Sequence, residues 1–164
     1  MKLNLGCGRL KMAGYVNVDI RPDVGAEVVG DAVEYVRSLE DGSVTNVHAV
    51  HFLEHLPWPT AQELVRLLFA KMRSGAWVAL ETPDLLKCLR QLERAPASPG
   101  PVANIFGHYA SHGEVEHRWG YTEGLLTSVL RAAGFVDIRE DAKSNYAHPR
   151  LGLARDIRVI GRKP

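Results

Sequence analysis

Two glycines separated by one residue, close to the start of the chain, constrain the fold more than any other feature. They follow a short apolar run, Leu3-Asn4-Leu5-Gly6-Cys7-Gly8, and a second apolar run ends in Asp19. In an open α/β sheet a ligand binds outside the carboxyl ends of the strands, and glycine there lets the backbone come close to it. A carboxylate that ends the next strand can accept hydrogen bonds from both hydroxyls of a ribose. The pattern therefore predicts a site for a cofactor that contains a nucleoside.

The kind of cofactor follows from what the glycine pattern lacks. A dinucleotide-binding fingerprint reads G-x-G-x-x-G, with an acidic residue about twenty positions further on. Here Lys11 stands in place of the third glycine, and Asp19 comes only eleven positions after Gly8. A pyrophosphate is therefore disfavoured. A nucleoside that carries a compact amino-acid tail fits better, and S-adenosylmethionine is such a molecule.

Four motifs in this order resemble the class I S-adenosylmethionine-dependent methyltransferases. They are LNLGCG at 3–8, GYVNVD at 14–19, VVGDA at 28–32 and HAVHFLEHL at 48–56. The chain is most similar to short members of the methyltransferase type 11 group, over residues 2–84 and again over 117–135. The resemblance implies a Rossmann-like α/β fold, with a seven-stranded, mostly parallel sheet and an antiparallel last strand. We expect one such domain over residues 1–164.

The same resemblance implies which residues hold the cofactor. Asp31 matches the acid that receives the adenine amino group, and Ala32 would offer its backbone N–H to the ring. Asp31 could equally cap a helix, because aspartate is a good N-cap. Asn4 stands where many relatives have aspartate, so a negative charge towards the methionine ammonium is lost. The full set of expected cofactor-binding residues is Asn4, Leu5, Gly6, Cys7, Gly8, Asp19, Ile20, Asp31, Ala32 and His51.

Composition and charge narrow the possible partners. With 20 Lys and Arg against 19 Asp and Glu, the net charge is +1, so a general attraction to nucleic acid or to an anionic membrane is not expected. We expect neither a signal peptide, since Met1-Lys2 leads straight into the glycine motif, nor a membrane span. The two cysteines form no disulfide framework. These features predict a cytoplasmic monomer or homodimer that acts on a small molecule.

The spacing of the motifs predicts a shortened N-terminal half. The segments 9–14 and 21–26 are too short for the helical crossovers that normally join parallel strands. Further on, Thr60 and Glu63 match a capping box that would start a helix. Thr122 should cap a later helix that ends at Gly134.

A possible lid lies between these two helices. The proline cluster at 96–101 is expected to hold neither helix nor strand, and a loop rich in glycine, histidine and aromatic residues follows it. We expect residues 96–121 to cover the cofactor and contact the acceptor. The run HRWGYT at 117–122 resembles the segment that the family places before its penultimate helix.

The sequence His51-Phe52-Leu53-Glu54-His55 matches H-x-x-E-H, the signature of inverted zinc proteases. Zinc chemistry of that kind needs two histidines on one helix, and Pro57 and Pro59 stop a helix here. A metal-dependent hydrolase is therefore a disfavoured alternative. Some relatives that methylate catechol-like hydroxyls hold a metal with E-x-x-E-H at this place, but this chain has His51 where they have the first glutamate. No metal is predicted.

Methyl transfer is an in-line displacement on a carbon that is already activated, so the protein mainly supplies proximity and orientation. A general base matters only when the acceptor must lose a proton, and an imidazole suits that task. His51, at the end of the predicted fourth strand, is the first candidate, and His55 and His117 are the others. We predict a methyltransferase that acts on a hydroxyl of a small-molecule or sugar-type acceptor. A cofactor-binding module that has lost catalysis is the main alternative.

Overall fold

Strands and helices alternate along the chain, as the sequence predicts for an α/β fold. The computed structural model describes residues 1–110, 113–141 and 155–164, and the side chains of these residues outside 108–110 and 113–115. The strands are β1 Lys2–Leu5, β2 Val16–Asp19, β3 Val28–Val29, β4 Val44–Val50, β5 Met72–Pro83, β6 Gly107–Ala110, β7 Gly113–Glu116, β8 Val136–Glu140 and β9 Asp156–Arg162. The helices are α1 Ala32–Ser38, α2 Trp58–Lys71, α3 Leu85–Arg94, α4 Pro99–Phe106 and α5 Glu123–Ala133.

Seven of the strands form one sheet in the order β3-β2-β1-β4-β5-β9-β8. The five strands from β3 to β5 are parallel, and β9 runs antiparallel to both β5 and β8. This confirms the predicted Rossmann-like fold class, with the antiparallel strand last in the chain. Strands β6 and β7 pair only with each other, as an antiparallel hairpin.

The N-terminal half is shortened as predicted. No helix joins β1 to β2, and a single 3-10 turn, Pro22–Val24, lies between β2 and β3. Buried amides hold the first connection instead. The Asn4 side chain donates to Leu10 O at 3.0 Å and to Asn17 Oδ1 at 2.7 Å, and the same Asn17 oxygen accepts from Met12 N at 2.8 Å. Because these bonds replace a packed helix, the loop can stay short.

Two predicted caps are present. The Asp31 side chain accepts from the backbone N–H groups of Val33 and Glu34 and starts α1. The Thr122 side chain accepts from Leu125 N and starts α5, which ends at Gly134 in the left-handed conformation, with φ 104°.

The predicted capping box of Thr60 and Glu63 is wrong. Helix α2 starts earlier, at Trp58, and Pro57 is its N-cap, without a side-chain hydrogen bond. The proline cluster was also misjudged, because α4 begins at Pro99, inside it. Proline disrupts a helix interior. In the first turn the backbone N–H groups make no hydrogen bond within the helix, so proline loses nothing by lacking one, and its φ is already helical.

The fifth strand and the lid region also differ from the prediction. The apolar run at 76–81 predicts a fifth strand that starts at Ala76. Strand β5 begins earlier, at Met72, which is fully buried and pairs with Val44 in the sheet. The segment 104–121 was expected to be a loop, but it contains the end of α4 and the β6–β7 hairpin. The sequence also predicts two last strands, at 135–139 and 156–160, joined by a loop through His148-Pro149. Strands β8 and β9 are present, and this loop lies outside the described residues.

The core lies around the central strands. Helix α2 contacts both α1 and α5, so that these three helices form one layer, and α5 also packs on β8 and β9. The sheet contributes mainly fully buried aliphatic side chains, among them Leu3, Leu5, Val18, Val47, Ala49, Leu80 and Val159. None of the helices in the described part of the chain is long and apolar enough to cross a membrane.

Candidate functional site

A cavity of about 870 Å³ opens at the carboxyl ends of β1, β2 and β4. Its size falls within the range of about 300–1,000 Å³ that is common for small-molecule sites. Most of the residues predicted from the sequence meet there, although they come from separate stretches of the chain. The predicted residues that line it are Asn4, Gly6, Cys7, Gly8, Asp19, Ile20, Asp31, Ala32, His51 and His55.

Asp19 shapes the glycine turn from the end of β2. Its Oδ2 accepts from Gly8 N at 2.7 Å, and its Oδ1 accepts from Arg21 N at 2.9 Å. The Arg21 guanidinium also lies 3.5 Å from Oδ1. A carboxylate has about four acceptor positions, so these contacts leave capacity for ligand hydroxyls. Only 7% of Asp19 is exposed, and it faces the cavity.

The glycine turn depends on backbone conformations that favour glycine. Gly6 and Gly8 have φ angles of 63° and 52°. A Cβ on Gly6 would lie 2.4 Å from Cδ2 of Phe52. Gly6 therefore makes room for the Phe52 side chain of the protein itself. The sequence had predicted that the cofactor would lie in this space.

Cys7 lies between these two glycines and is buried. Its N–H donates to Val18 O at 3.1 Å, which ties the turn to the end of β2. Burial, together with the negative charges of Asp19 and Glu27, raises the pKa of the Cys7 thiol to about 11. This shift favours the neutral thiol at physiological pH, whereas the thiolate is the nucleophilic form.

The region predicted for adenine is formed by the start of α1. Asp31 Oδ1 accepts from Val33 N at 2.7 Å and from Glu34 N at 3.0 Å, so the capping function is present. Both bonds use the same oxygen, and among the described residues Oδ2 keeps its acceptor capacity. Ala32 is buried at the cavity wall, and Ile20 lies at its edge with 69% of the residue exposed. The two functions considered for Asp31 are therefore compatible.

Two predicted cofactor residues have structural surroundings that the sequence did not indicate. Leu5 is fully buried in the core and does not line the cavity. Asn4 lines it, but its amide nitrogen is engaged with Leu10 O and Asn17 Oδ1. The side chain of Asn4 therefore helps to hold the loop after β1.

His51 lies between two carboxylates. Its Nδ1 is 3.1 Å from Glu54 Oε1, and its Nε2 is 3.4 Å from Asp156 Oδ2. Burial disfavours the charged ring, but the hydrogen bonds and negative charges of Asp156 and Glu54 outweigh it and raise the pKa of His51 to about 10. A ring that is already protonated cannot accept another proton at neutral pH. This geometry argues against the general-base role predicted for His51.

The other two candidate bases have different places. His55 lines the large cavity, and its Nδ1 contacts Glu116 O at 2.8 Å. His117 lies in a small cavity of about 10 Å³ beside it, together with Glu54, and its Nδ1 contacts Asn104 O at 3.1 Å. Burial lowers the pKa of His117. The two rings touch edge to face, with their centroids 5.0 Å apart.

Several residues of the site were not predicted. Phe52 fills the space beside the glycine turn, and Arg118 lines the cavity from the predicted lid. The HRWGYT segment contains Arg118 and could have drawn attention to it. Asp156 starts β9, and nothing in the local sequence shows that it pairs with His51. Within the predicted lid, residues 111 and 112 lie outside the described part of the chain.

No protein family model matches the sequence. A SAM-dependent methyltransferase from Archaeoglobus fulgidus has 22% identity and a TM-score of 0.70, over 99% of this chain and 85% of the other. A SAM-dependent methyltransferase from Methanosarcina mazei has 21% identity and a TM-score of 0.64, over 99% of this chain and 91% of the other.

A third similar structure holds a ligand. It is PigF with SAH, which has 16% identity and a TM-score of 0.60, over 99% of this chain and 50% of the other. At these identities the likeness is one of backbone architecture, and it extends over almost the whole chain. The chain therefore has the fold of the S-adenosylmethionine-dependent methyltransferases.

Proposed function

We propose that this protein is an S-adenosylmethionine-dependent methyltransferase that acts on a hydroxyl of a small-molecule or sugar-type acceptor. The observation that supports this most is the large cavity, at the carboxyl ends of the parallel strands. Its wall combines a glycine turn, an acid at the end of β2 and an acid at the start of α1. These are the features that a nucleoside with an amino-acid tail requires.

Each part of the cavity then has a task. Asp19 accepts hydrogen bonds from the ribose hydroxyls with the acceptor positions that Gly8 and Arg21 leave. Asp31 Oδ2 and the backbone of Ala32 receive the adenine edge. The turn at 6–8 lies against the methionine part. The cofactor supplies a methyl group on a sulfonium, and the protein orients it towards the acceptor.

The state of the histidines limits the acid–base chemistry. Glu54 and Asp156 pair with His51 and raise the pKa of its ring, so we assign His51 to holding the rim of the cavity. Of the predicted catalytic residues, His55 is the one that both lines the large cavity and keeps a ring nitrogen with a lone pair, because Nδ1 donates to Glu116 O. An acceptor would lie on this side of the cavity, next to Glu116 and Arg118.

The proposal also covers the class of acceptor, the cellular compartment and the oligomeric state. The near-neutral charge and the small-molecule size of the cavity support an acceptor that is not a nucleic acid. Cys7 and Cys88 are both buried free thiols, which supports the reducing cytoplasm as the place of action. We keep a monomer or a homodimer as the expected assembly.

Calorimetry with S-adenosylhomocysteine and the full chain tests the cofactor. We expect saturable binding with one molecule per chain. A screen with methyl-labelled S-adenosylmethionine, against diols, phenols and sugar nucleotides, then tests transfer. Binding with no turnover on any acceptor class would favour the inactive module over the enzyme. A chain that stays folded and binds neither S-adenosylmethionine nor its product would overturn the whole proposal.

A further inference from the structure

Glu54, His55 and His117 bring one carboxylate and two imidazoles together beside the large cavity. One ligand atom from each, a carboxylate oxygen and two ring nitrogens, all lie within 4.8 Å of one another. Glu54 is buried, and both histidines are half-buried. Two histidines and one carboxylate can hold a catalytic zinc ion, or a transition metal in a facial triad with open positions.

The two rings are oriented as metal-binding histidines usually are. Nδ1 of His55 lies 2.8 Å from Glu116 O, and Nδ1 of His117 lies 3.1 Å from Asn104 O. A carbonyl oxygen only accepts, so each Nδ1 carries the proton and each Nε2 keeps the lone pair. Metal-ligating histidines almost always donate their second ring N–H to a carbonyl or a carboxylate in this way.

The Glu54 carboxylate supplies an independent observation. Only 1% of this residue is exposed. Its Oε1 faces His51 Nδ1 at 3.1 Å, whereas Oε2 has no hydrogen-bond partner among the described residues. A buried acceptor without a partner pays its full desolvation cost. A buried carboxylate with such an oxygen, grouped within 4.8 Å of two imidazoles, is an environment that a cation would satisfy.

Backbone hydrogen bonds hold the two ligand-bearing segments together. The carbonyl of Glu54 accepts from Arg118 N at 2.6 Å and from Trp119 N at 3.2 Å. His117 N donates to Phe106 O at 3.1 Å. The position of His117 beside Glu54 and His55 therefore follows from main-chain contacts on both sides of the residue, and does not require a bound ion.

We propose that Glu54, His55 and His117 bind one divalent transition-metal ion. Two imidazoles favour zinc and its neighbours in the first transition row over magnesium and calcium, which prefer all-oxygen sites. This departs from the prediction that no metal is bound, which considered His51 as the first ligand. His51 and Asp156 form a second cluster with Glu81, but there the guanidinium of Arg158 already lies 2.6 Å from Glu81.

The place of the site bears on the proposed methyl transfer, and this step rests on that proposal. His55 lines the large cavity, while Glu54 and His117 line the small one beside it. A cation between them would border the space assigned to the acceptor. An open coordination position there can take an acceptor oxygen and favour loss of its proton, so that His55 acts as a ligand and not as a base.

Titration of the metal-free full chain with Zn²⁺, followed by calorimetry, tests the site. We expect one ion per chain, and Co²⁺ should give the visible absorption of a nitrogen- and oxygen-ligated ion. His55→Ala and His117→Ala should each weaken Zn²⁺ binding at least about 100-fold, since even indirect partners of a metal cost about 10–100-fold. His48→Gln is the matched control, because it removes a half-buried imidazole outside the cluster and should leave binding unchanged.

Three results would overturn the site. They are no saturable Zn²⁺ binding to the folded wild-type chain, binding that both histidine variants retain, and binding that Asp156→Asn abolishes while His117→Ala does not. If His117→Ala does not fold, His117→Gln is measured in its place. The number of Zn²⁺ ions bound by the wild-type chain tests the site independently of both variants. Binding of S-adenosylhomocysteine, measured on the same samples, reports on the cofactor site separately. A lost metal site with intact cofactor binding would leave the proposed function standing.

Discussion

Asp19 combines a structural and a proposed binding role in one side chain. Its two oxygens hold Gly8 N and Arg21 N, and the same carboxylate faces the cavity. The sequence indicated the second role, from the position of an acid after an apolar run. The first appears only when the backbone of the turn is folded back onto β2. A substitution at this position therefore tests both.

We expect Asp19→Ala to weaken binding of S-adenosylhomocysteine about 10–100-fold, because loss of a buried hydrogen-bond partner costs about 1–3 kcal/mol. Calorimetry at constant pH measures this. Asp23→Ala is the control, since Asp23 pairs with Arg9 at 3.6 Å on the surface and does not line the cavity. Unchanged affinity in a folded Asp19→Ala chain would remove Asp19 from the binding site.

Gly6 is required by its φ angle and by Phe52. Gly6→Ala should destabilise the fold by about 1–3 kcal/mol more than Gly14→Ala, because the added methyl group runs into a packed ring. Gly14 is the matched control: its φ is 78°, and a Cβ there meets nothing within 4 Å. Urea unfolding measures both. Phe52→Ala should recover part of the difference in the double variant, and equal losses for Gly6→Ala and Gly14→Ala would contradict the clash.

At the scale of elements, local sequence predicts the start of one helix correctly and the start of another wrongly. Thr122 starts α5 with a side-chain cap, as its sequence indicates. Helix α2 starts instead at Trp58, between two prolines, although Thr60 and Glu63 match a capping box. Proline at the first turn is compatible with a helix, so the apolar contacts of the flanking residues can move the start by a few positions.

Thr122→Ala should therefore cost about 1 kcal/mol of stability, through loss of the bond from Leu125 N. Thr60→Ala should change stability by no more than about 0.5 kcal/mol, since Thr60 caps nothing and lies inside the first turn of α2. Denaturant unfolding of the two variants gives the comparison directly. A loss at Thr60 as large as that at Thr122 would mean that the capping box forms after all.

At the scale of the whole molecule, buried charges join elements that are distant in the chain. Arg158 on β9 lies 2.6 Å from Glu81, its direct cross-strand partner on β5. Asp156, on the same strand, pairs with His51 at the end of β4. Breaking such a buried pair leaves an uncompensated charge and is strongly destabilising. The antiparallel last strand thus helps to position the rim of the cavity.

His48 gives the fold a pH dependence of known sign. Burial lowers its pKa to about 4, and Arg158 adds to this effect while Asp141 opposes it. The unfolded chain takes up a proton near pH 6.5 that the folded chain does not, so stability is full above pH 6.5 and falls as the pH drops towards 4. Between pH 7 and pH 5, we expect the free energy of unfolding of His48→Gln to fall by roughly 1–2 kcal/mol less than that of the wild type. The free energy of unfolding is measured with urea at each pH, and the same pH dependence for both proteins would contradict this.

Local sequence was sufficient for the parallel strands β1 to β5 and for ten of the residues that line the cavity. A glycine turn, an acid at a strand end and a capping aspartate each express their role within a few residues, and the parallel topology then brings Gly8, Asp19 and Asp31 to one edge of the sheet. The shortened first half also followed directly from the lengths of the two crossovers.

The tertiary structure alone decided the electrostatic state of the histidines. Asp156, from the far end of the chain, lies beside His51 and, with Glu54, raises the pKa of its ring. His117 reaches Glu54 through backbone bonds between distant segments. Charge–charge interactions act through space and depend on burial, so no local pattern encodes them. The sequence therefore indicated where the cavity lies, and the packing of β9 and the lid segment determined the surroundings of each imidazole.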